Sequence, residues 1–167
     1  MGQHYLDPIQ YIIGKDDTSP VNIVSESVQQ HYDAVLAWKR VEMTYADGCK
    51  IILDGAGTDN DAPFISGPNG NVWKNMRSDI PNFEKKVAGL PNPPRQEEDF
   101  IKCVRERRKF GLNELNAHRS ANLINLSKIS IRLGRELTFD PVKQQFIGDE
   151  GANRLINQPM RAPWVIG

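Results

Sequence analysis

The chain has 167 residues, 39% of them hydrophobic and 25% charged, which is enough apolar sequence to bury one core. Lysine plus arginine and aspartate plus glutamate both number 21, so we predict no net field that would recruit nucleic acid or an anionic membrane. No apolar run approaches the ~20 residues that cross a bilayer. We therefore expect a single domain over 1–167, without a nucleic-acid or membrane partner.

The first predicted element is a short amphipathic helix that ends at Gly14. Its apolar residues recur at helical spacing, and Pro8 is expected in the first turn, where its missing N–H is tolerated. The apolar residues are Leu6, Ile9, Ile12 and Ile13. A turn over 16–20 then leads into a strand that begins at Val21.

The strongest turn signal is Asp47-Gly48, which lies between strand-like runs over 36–46 and 49–53. A two-residue loop at this position would pair Tyr45 with Lys50. One face of the hairpin would then carry Val41, Met43, Tyr45 and Ile52, and the other face Glu42, Thr44, Ile51 and Leu53. Because both faces are partly apolar, we expect helices to cover one of them and a second subunit to cover the other.

The middle of the chain has weaker signals. A second hairpin is predicted from strands at 64–66 and 72–73, which we expect to extend the same sheet. Prolines punctuate 78–94, so this stretch is expected to be irregular. Helical spacing returns over 96–109, with a predicted buried stripe of Phe100, Ile101, Cys103 and Val104.

The longest helical pattern runs over 113–134, and Gly134 provides its C-terminal stop. We expect this helix to pack on the 96–109 helix, with both against the sheet. Its apolar stripe consists of Leu123, Ile124, Leu126, Ile129 and Ile131.

A polar line runs along the same helix, because His118, Asn122 and Asn125 are spaced so that they share one face. This line is either a solvated surface or the wall of a pocket. Beyond the helix, extended pieces are predicted at 138–141 and 145–148, followed by a helix capped by Asp149. We expect Trp164 to dock on the body of the domain.

Strands followed by helices predict an α+β fold. We expect a largely antiparallel or mixed open-faced sheet that helices cover on one face.

Several short stretches keep one order along almost the whole chain and carry a more specific signal. They are 4–7 (HYLD), 14–21 (GKDDTSPV), 45–48 (YADG), 117–121 (AHRSA), 132–135 (RLGR), 148–150 (GDE) and 161–164 (RAPW). Together they resemble the C-terminal domain of the glucose–fructose oxidoreductase, inositol dehydrogenase and rhizopine-catabolism family, written Gfo/Idh/MocA.

This resemblance implies an oxidoreductase that uses NAD or NADP, which the family binds in an N-terminal Rossmann domain. That domain is missing from the sequence, so we predict no cofactor-binding or metal-binding residue in this chain. We expect the chain to be inactive alone and Met1 to be an internal methionine. The expected location is cytoplasmic, or periplasmic if the missing N-terminal part carried a signal peptide.

The resemblance also implies site residues. His4 matches the histidine of the family's Asp-x-x-x-His pair, whose Asp would fall one place before Met1. We expect His4 to be catalytic, since an imidazole can remove a hydroxyl proton near neutral pH. The alternative is an exposed terminal residue. His118 is expected to bind a substrate hydroxyl, with Arg119 or Asn122 beside it, and the alternative is a capping or core-satisfied histidine.

The function that the resemblance implies is the substrate-binding and oligomerisation half of an enzyme acting on a sugar or polyol. Two alternatives are a domain of an NAD-dependent glycoside hydrolase and a non-catalytic binding or scaffold module. In the family, another subunit typically buries the open face of this sheet, so we expect a homodimer through that face. Its predicted centre is Val41, Met43, Tyr45 and Ile52, or the opposite set of hairpin residues.

Overall fold

The computed structural model describes residues 2–32, 34, 36–55, 57, 61–90, 94–157 and 161–164. They form two compact units. We call them the sheet unit (Met1–Ala56 and Gly111–Gly167) and the hairpin–helix unit (Gly57–Phe110). The single domain over 1–167 stays a prediction.

The described elements follow one another along the chain as helices and short strands. They are α1 (Gln3–Ile12), β1 (Asn22–Ser27), β2 (Trp38–Thr44), β3 (Lys50–Asp54), β4 (Ile65–Gly67), β5 (Gly70–Val72), α2 (Phe83–Ala88), α3 (Gln96–Glu106), α4 (Glu114–Leu133), β6 (Leu137–Asp140), β7 (Gln145–Phe146) and α5 (Glu150–Asn153).

The sheet unit is built on five strands in the order β3-β2-β1-β6-β7, and every described pair is antiparallel. Helix α4 packs against β1 and β2, and α1 packs against α4. This arrangement confirms the predicted α+β fold. The core between helices and sheet contains Leu6, Ile23, Val41, Met43, Tyr45, Ile51, Leu123, Leu126, Ile129, Ile131, Leu137, Phe139, Phe146 and Ala152.

Helix α4 has the ends that the sequence predicts. The Asn113 side chain accepts hydrogen bonds from the backbone N–H groups of Leu115 (3.0 Å) and Asn116 (3.2 Å), which caps the first turn. At the other end Gly134 has a φ of 62°, a left-handed conformation that glycine adopts at little cost. The packing partner of α4 within its unit is α1, whereas α3 belongs to the other unit.

The β2–β3 hairpin is displaced by one residue from the predicted register. The Tyr45 backbone N–H donates to the Cys49 carbonyl (2.8 Å), so the loop has three residues and Gly48 takes a left-handed φ of 85°. Thr44 therefore pairs with Lys50, and the predicted pairing of Tyr45 with Lys50 is wrong.

The shift changes which side chains face inward, because a slip of one residue exchanges the two faces of a strand. Ile51 is 4% exposed and lies in the core, whereas Ile52 is 46% exposed on the open face. Of the first set predicted for the interface centre, Val41, Met43 and Tyr45 are buried within their own chain, and Ile52 lies on the open face. The interface itself stays a prediction.

Two further predictions for the sheet unit need correction. Pro8 is the sixth residue of α1 and not in its first turn. The helix continues past it, with Leu6 and Gln10 buried on either side, so packing outweighs the lost N–H. Trp164 is 66% exposed and does not dock on the body.

The hairpin–helix unit departs furthest from the sequence-based expectations. Strands β4 and β5 form a two-stranded sheet of their own and do not extend the five-stranded sheet. Helix α2 occupies part of 78–94, which was expected to be irregular. On α3 only Cys103 is buried, and the rest of the predicted buried stripe is exposed, namely Phe100, Ile101 and Val104.

Candidate functional site

Two polar residues of α4 meet the turn between β6 and β7. His118 and Asn122 lie one helical turn apart, so their side chains project from the same face. The His118 Nε2 atom is 3.1 Å from Gln144 Oε1, and the Asn122 Nδ2 group donates to the same oxygen at 2.9 Å. His118 Nε2 and Asn122 Nδ2 are 3.2 Å apart. Gln144 thus gathers the two α4 side chains into one cluster.

The orientation of Gln144 is held by its own turn. Its φ of 55° is left-handed, a conformation that costs a residue with a side chain some free energy. Two hydrogen bonds stabilise it: the Gln144 backbone N–H donates to the Asp140 carbonyl (2.8 Å), and the side-chain Nε2 donates to the Pro141 carbonyl. Because a carbonyl can only accept, Nε2 must face Pro141 and Oε1 must face α4.

The two contacts of His118 Nε2 correspond to two tautomers of the ring. A protonated Nε2 donates to Gln144 Oε1 (3.1 Å), whereas an unprotonated Nε2 accepts from Asn122 Nδ2 (3.2 Å). In the first tautomer Nδ1 carries a lone pair, and in the second it carries the proton. His118 is exposed at the surface, so Nδ1 is available to a ligand hydroxyl in either tautomer.

Arg119 extends the cluster to a third segment. Its Nη1 group donates to the Pro141 carbonyl (3.2 Å) and, at the long distance of 3.4 Å, to the Ser19 hydroxyl. Ser19 is fully buried in the turn that precedes β1. The Pro141 carbonyl accepts from both Arg119 and Gln144, so the network is continuous from His118 to Ser19. We call it the α4 polar network: His118, Asn122, Gln144, Pro141, Arg119 and Ser19.

The turn that carries Gln144 is shaped by Asp140. One oxygen of its carboxylate accepts hydrogen bonds from the backbone N–H groups of Val142 and Lys143, both at 2.9 Å. These bonds, that of Lys143 first, lower the pKa of the Asp140 carboxyl, because they favour its charged form. An Asp-Pro start is a typical turn signal, and here it presents Gln144 to α4.

A second contact supports the segment that holds Ser19. Lys15 pairs with Asp47 of the hairpin loop at 2.5 Å, and its Nζ lies 5.7 Å from the centre of the Tyr45 ring. The Tyr45 hydroxyl is buried without a hydrogen-bond partner among the described residues, and burial raises its pKa. The stretches 14–21 and 45–48, which carry part of the family resemblance, thus meet in the fold through Lys15.

The structure brings three of the four predicted site residues into one network and leaves one outside it. His118, Asn122 and Arg119 belong to the α4 polar network. His4 lies on an exposed side of α1, and no hydrogen bond joins it to that network within the described residues. Sequence reasoning missed Gln144, because its contact with α4 spans 22 residues and leaves no local pattern. The roles of all these residues stay predictions.

No group of three His, Cys, Asp or Glu side chains in the described part of the chain could hold a metal ion. Among the same residues, no helix is both long and apolar enough to cross a membrane.

Comparison with curated proteins and with solved structures finds no match. The family model described as the oxidoreductase family, C-terminal alpha/beta domain (GFO_IDH_MocA_C2), matches residues 1–166. The match covers nearly the whole chain, and the antiparallel sheet with helices is the α+β architecture expected of that domain. The chain therefore belongs to the Gfo/Idh/MocA oxidoreductase family and represents its C-terminal α/β domain.

Proposed function

We propose that this domain binds the sugar or polyol substrate of an NAD(P)-dependent oxidoreductase. The observation that carries the proposal is the α4 polar network, which contacts His118 through Nε2 and leaves Nδ1 free at the surface of an oxidoreductase-family domain. Oxidation of an alcohol requires that a hydroxyl be held and its proton removed. In the tautomer with a proton on Nε2, Nδ1 accepts the hydroxyl hydrogen bond and Nε2 donates to Gln144 Oε1, whose position Asn122 Nδ2 supports.

The described residues do not fit a dinucleotide. Binding of the pyrophosphate in a Rossmann fold needs a parallel strand, a glycine-rich loop and the N-terminus of a helix. Every described strand pair of this chain is antiparallel. NAD or NADP would bind to a Rossmann domain outside these residues. We accordingly expect calorimetry to give no micromolar dissociation constant for either nucleotide, and a sugar assay to give no rise in absorbance from reduced nicotinamide.

Nuclear magnetic resonance titration of the chain with a neutral sugar or polyol tests substrate binding. We expect amide shifts around His118, Asn122 and Gln144, and about a 10-fold weaker affinity for Asn122→Ala, because Gln144, which holds the His118 ring, loses a partner. Asn125→Ala is the matched control, since Asn125 is exposed on the same helix and outside the network. Shifts confined to other surfaces, or equal effects of the two variants, would count against the proposal.

We also propose that the open face of the sheet forms a homodimer interface. This face carries a charged row in which Glu42 pairs with Lys50 (2.5 Å) and Arg40 (3.2 Å), with Val24 and Ile52 exposed on either side. Mixed charges of both signs suit a self-complementary two-fold contact. The proposed interface therefore centres on Glu42 and Ile52.

Light scattering at low micromolar concentration tests the dimer. Ile52→Asp is expected to yield a monomer, because it places an additional negative charge beside Glu42 at the centre of the contact. Ile147→Asp is the control, since Ile147 is also an exposed isoleucine of the sheet unit but lies after β7. A wild-type chain that is monomeric would contradict the proposal.

A further inference from the structure

Arg119 is a half-buried cation whose hydrogen bonds use only one of its nitrogens. Nη1 donates to the Pro141 carbonyl and the Ser19 hydroxyl, both of which are neutral. Within the described residues, Nε and Nη2 have no hydrogen-bond partner and Arg119 joins no ion pair. Nε and Nη2 form the edge of a guanidinium that matches the two oxygens of a carboxylate.

Another arginine of the same unit shows how this edge is normally occupied. Arg135 donates from Nε (2.9 Å) and Nη2 (2.8 Å) to the two oxygens of Asp149. Arg40 likewise contacts a carboxylate of the protein, that of Glu42 at 3.2 Å. Arg119 differs from these two arginines because it is half-buried and its Nε–Nη2 edge meets no carboxylate of the described residues.

The surroundings of Arg119 favour an anion. The other members of the α4 polar network are neutral, and the nearest carboxylate in the turn, that of Asp140, accepts from Val142 and Lys143. Since the two Nη1 bonds fix the plane of the guanidinium, its free edge is already oriented and little conformational entropy is lost on binding. An anion that binds this edge would stabilise the partly buried positive charge, which has no counter-ion among the described residues.

We propose that the Nε–Nη2 edge of Arg119 binds the carboxylate of a sugar acid. This inference rests on the proposed function, because it names the substrate class of the same site. A carboxylate fits better than a phosphate, since one guanidinium offers one positive charge and two parallel N–H groups, whereas a phosphate dianion calls for further cations. His118 Nδ1 then accepts a hydroxyl of the same class of ligand.

The test compares two ligands that differ only in one group. D-Glucuronate carries a carboxylate where D-glucose carries a hydroxymethyl, and amide shifts measure both affinities on the whole chain. We expect wild type to bind glucuronate roughly 10-fold or more tightly than glucose, because charge-assisted bonds replace neutral ones. Arg119→Gln should abolish this preference, and Arg119→Lys should keep part of it, since lysine has the charge without the planar edge.

Arg132→Gln is the matched control. It removes the same charge from the same helix at a residue that donates to the Tyr32 carbonyl, about 20 Å further along α4 at 1.5 Å per residue. It should keep the glucuronate preference. Amide spectra of all variants report whether the fold is intact, and the ratio of the two affinities is insensitive to a purely structural role of Arg119.

The outcomes separate the two proposals. Equal affinity for both ligands, or a preference that survives in Arg119→Gln, would overturn the carboxylate subsite while the binding of glucose keeps the proposed function. Displacement of glucuronate by inorganic phosphate at lower concentration than by acetate would overturn the choice of a carboxylate. Binding of neither sugar would overturn both proposals.

Discussion

The sheet unit and the hairpin–helix unit bury their apolar side chains to very different extents. In the described part of the chain, the sheet unit holds the whole buried core except Cys103. The hairpin–helix unit instead exposes large apolar side chains on each of its helices, namely Val87, Phe100, Ile101 and Val104. Because burial of apolar surface is the main source of folding free energy, the two units are expected to differ in local stability.

Polar contacts take the place of a core in the hairpin–helix unit. The Asp79 carboxylate accepts from the backbone and side chain of Asn71, and the Trp73 indole donates to the Asp61 carbonyl (3.0 Å). Such exposed contacts each contribute little, because water competes for the same groups. Secondary structure alone therefore does not indicate a cooperative core.

The largest expected effect is the loss of a core side chain. Leu126 is 3% exposed, and Leu126→Ala should lower the free energy of unfolding by roughly 2–5 kcal/mol. Val104, on α3, is 51% exposed, and Val104→Ala should change the free energy of unfolding by less than about 0.5 kcal/mol. Urea denaturation followed by circular dichroism measures both. Equal losses would remove the contrast between the units.

The longest helices of the two units, α4 and α3, differ in their capping in the same direction. Asn113 caps α4 with its side chain, whereas Arg95 at the start of α3 makes no capping bond. Asn113→Ala should cost about 1 kcal/mol of unfolding free energy, and Arg95→Ser should add a cap and stabilise α3 by a similar amount at most. Amide hydrogen exchange in each helix reports the two changes separately. Faster exchange throughout α3 in the Ser variant would contradict the capping argument.

The sheet unit buries two polar atoms without a hydrogen-bond partner among the described residues, Gln10 Oε1 and the Tyr45 hydroxyl. Tyr45→Phe removes a buried hydroxyl without a described partner, so we expect it to raise the unfolding free energy by about 0.5–1 kcal/mol at neutral pH. Tyr11→Phe, at an exposed tyrosine of α1, should have no measurable effect. A destabilised Tyr45→Phe would show that the hydroxyl has a partner in solution.

The same residue should affect stability in alkali. Burial raises the pKa of Tyr45, so the folded chain keeps its proton above about pH 10, where an unfolded tyrosine loses it. Unfolding is therefore favoured as pH rises beyond that value. Tyr45→Phe should reduce this alkaline loss of stability, whereas Tyr11→Phe should leave it as in wild type.

The smallest expected effect is on acid stability. The hydrogen bonds from Arg135, and then that from Ala152, lower the pKa of Asp149 in the folded chain. The stabilisation is present above the unfolded value of about 3.9 and is lost as pH falls through the folded pKa. Asp149→Asn should reduce the loss of unfolding free energy at acid pH, and Arg135→Gln should have the same effect. The double variant should add nothing further, because the two residues form one pair.

Much of the fold could be predicted from local patterns. The helix over 113–134, its Asn113 and Gly134 ends and the Asp149 cap are each decided within a few residues. The register of the hairpin was wrong because Asp47-Gly48 suits both two-residue and three-residue loops. The backbone bond from the Tyr45 N–H to the Cys49 carbonyl and the burial of Ile51 show that the longer one forms.

The candidate site shows the same division. The sequence by itself determined the family, through short stretches in a preserved order, and the polar face of α4, through helical spacing. Only the tertiary structure decided that Gln144 closes this face, that the Pro141 carbonyl connects it to Arg119, and that His4 is outside the network. The physical reason is distance along the chain: helix and turn signals act over a few residues, whereas these contacts join segments whose approach depends on the packing of the whole sheet unit.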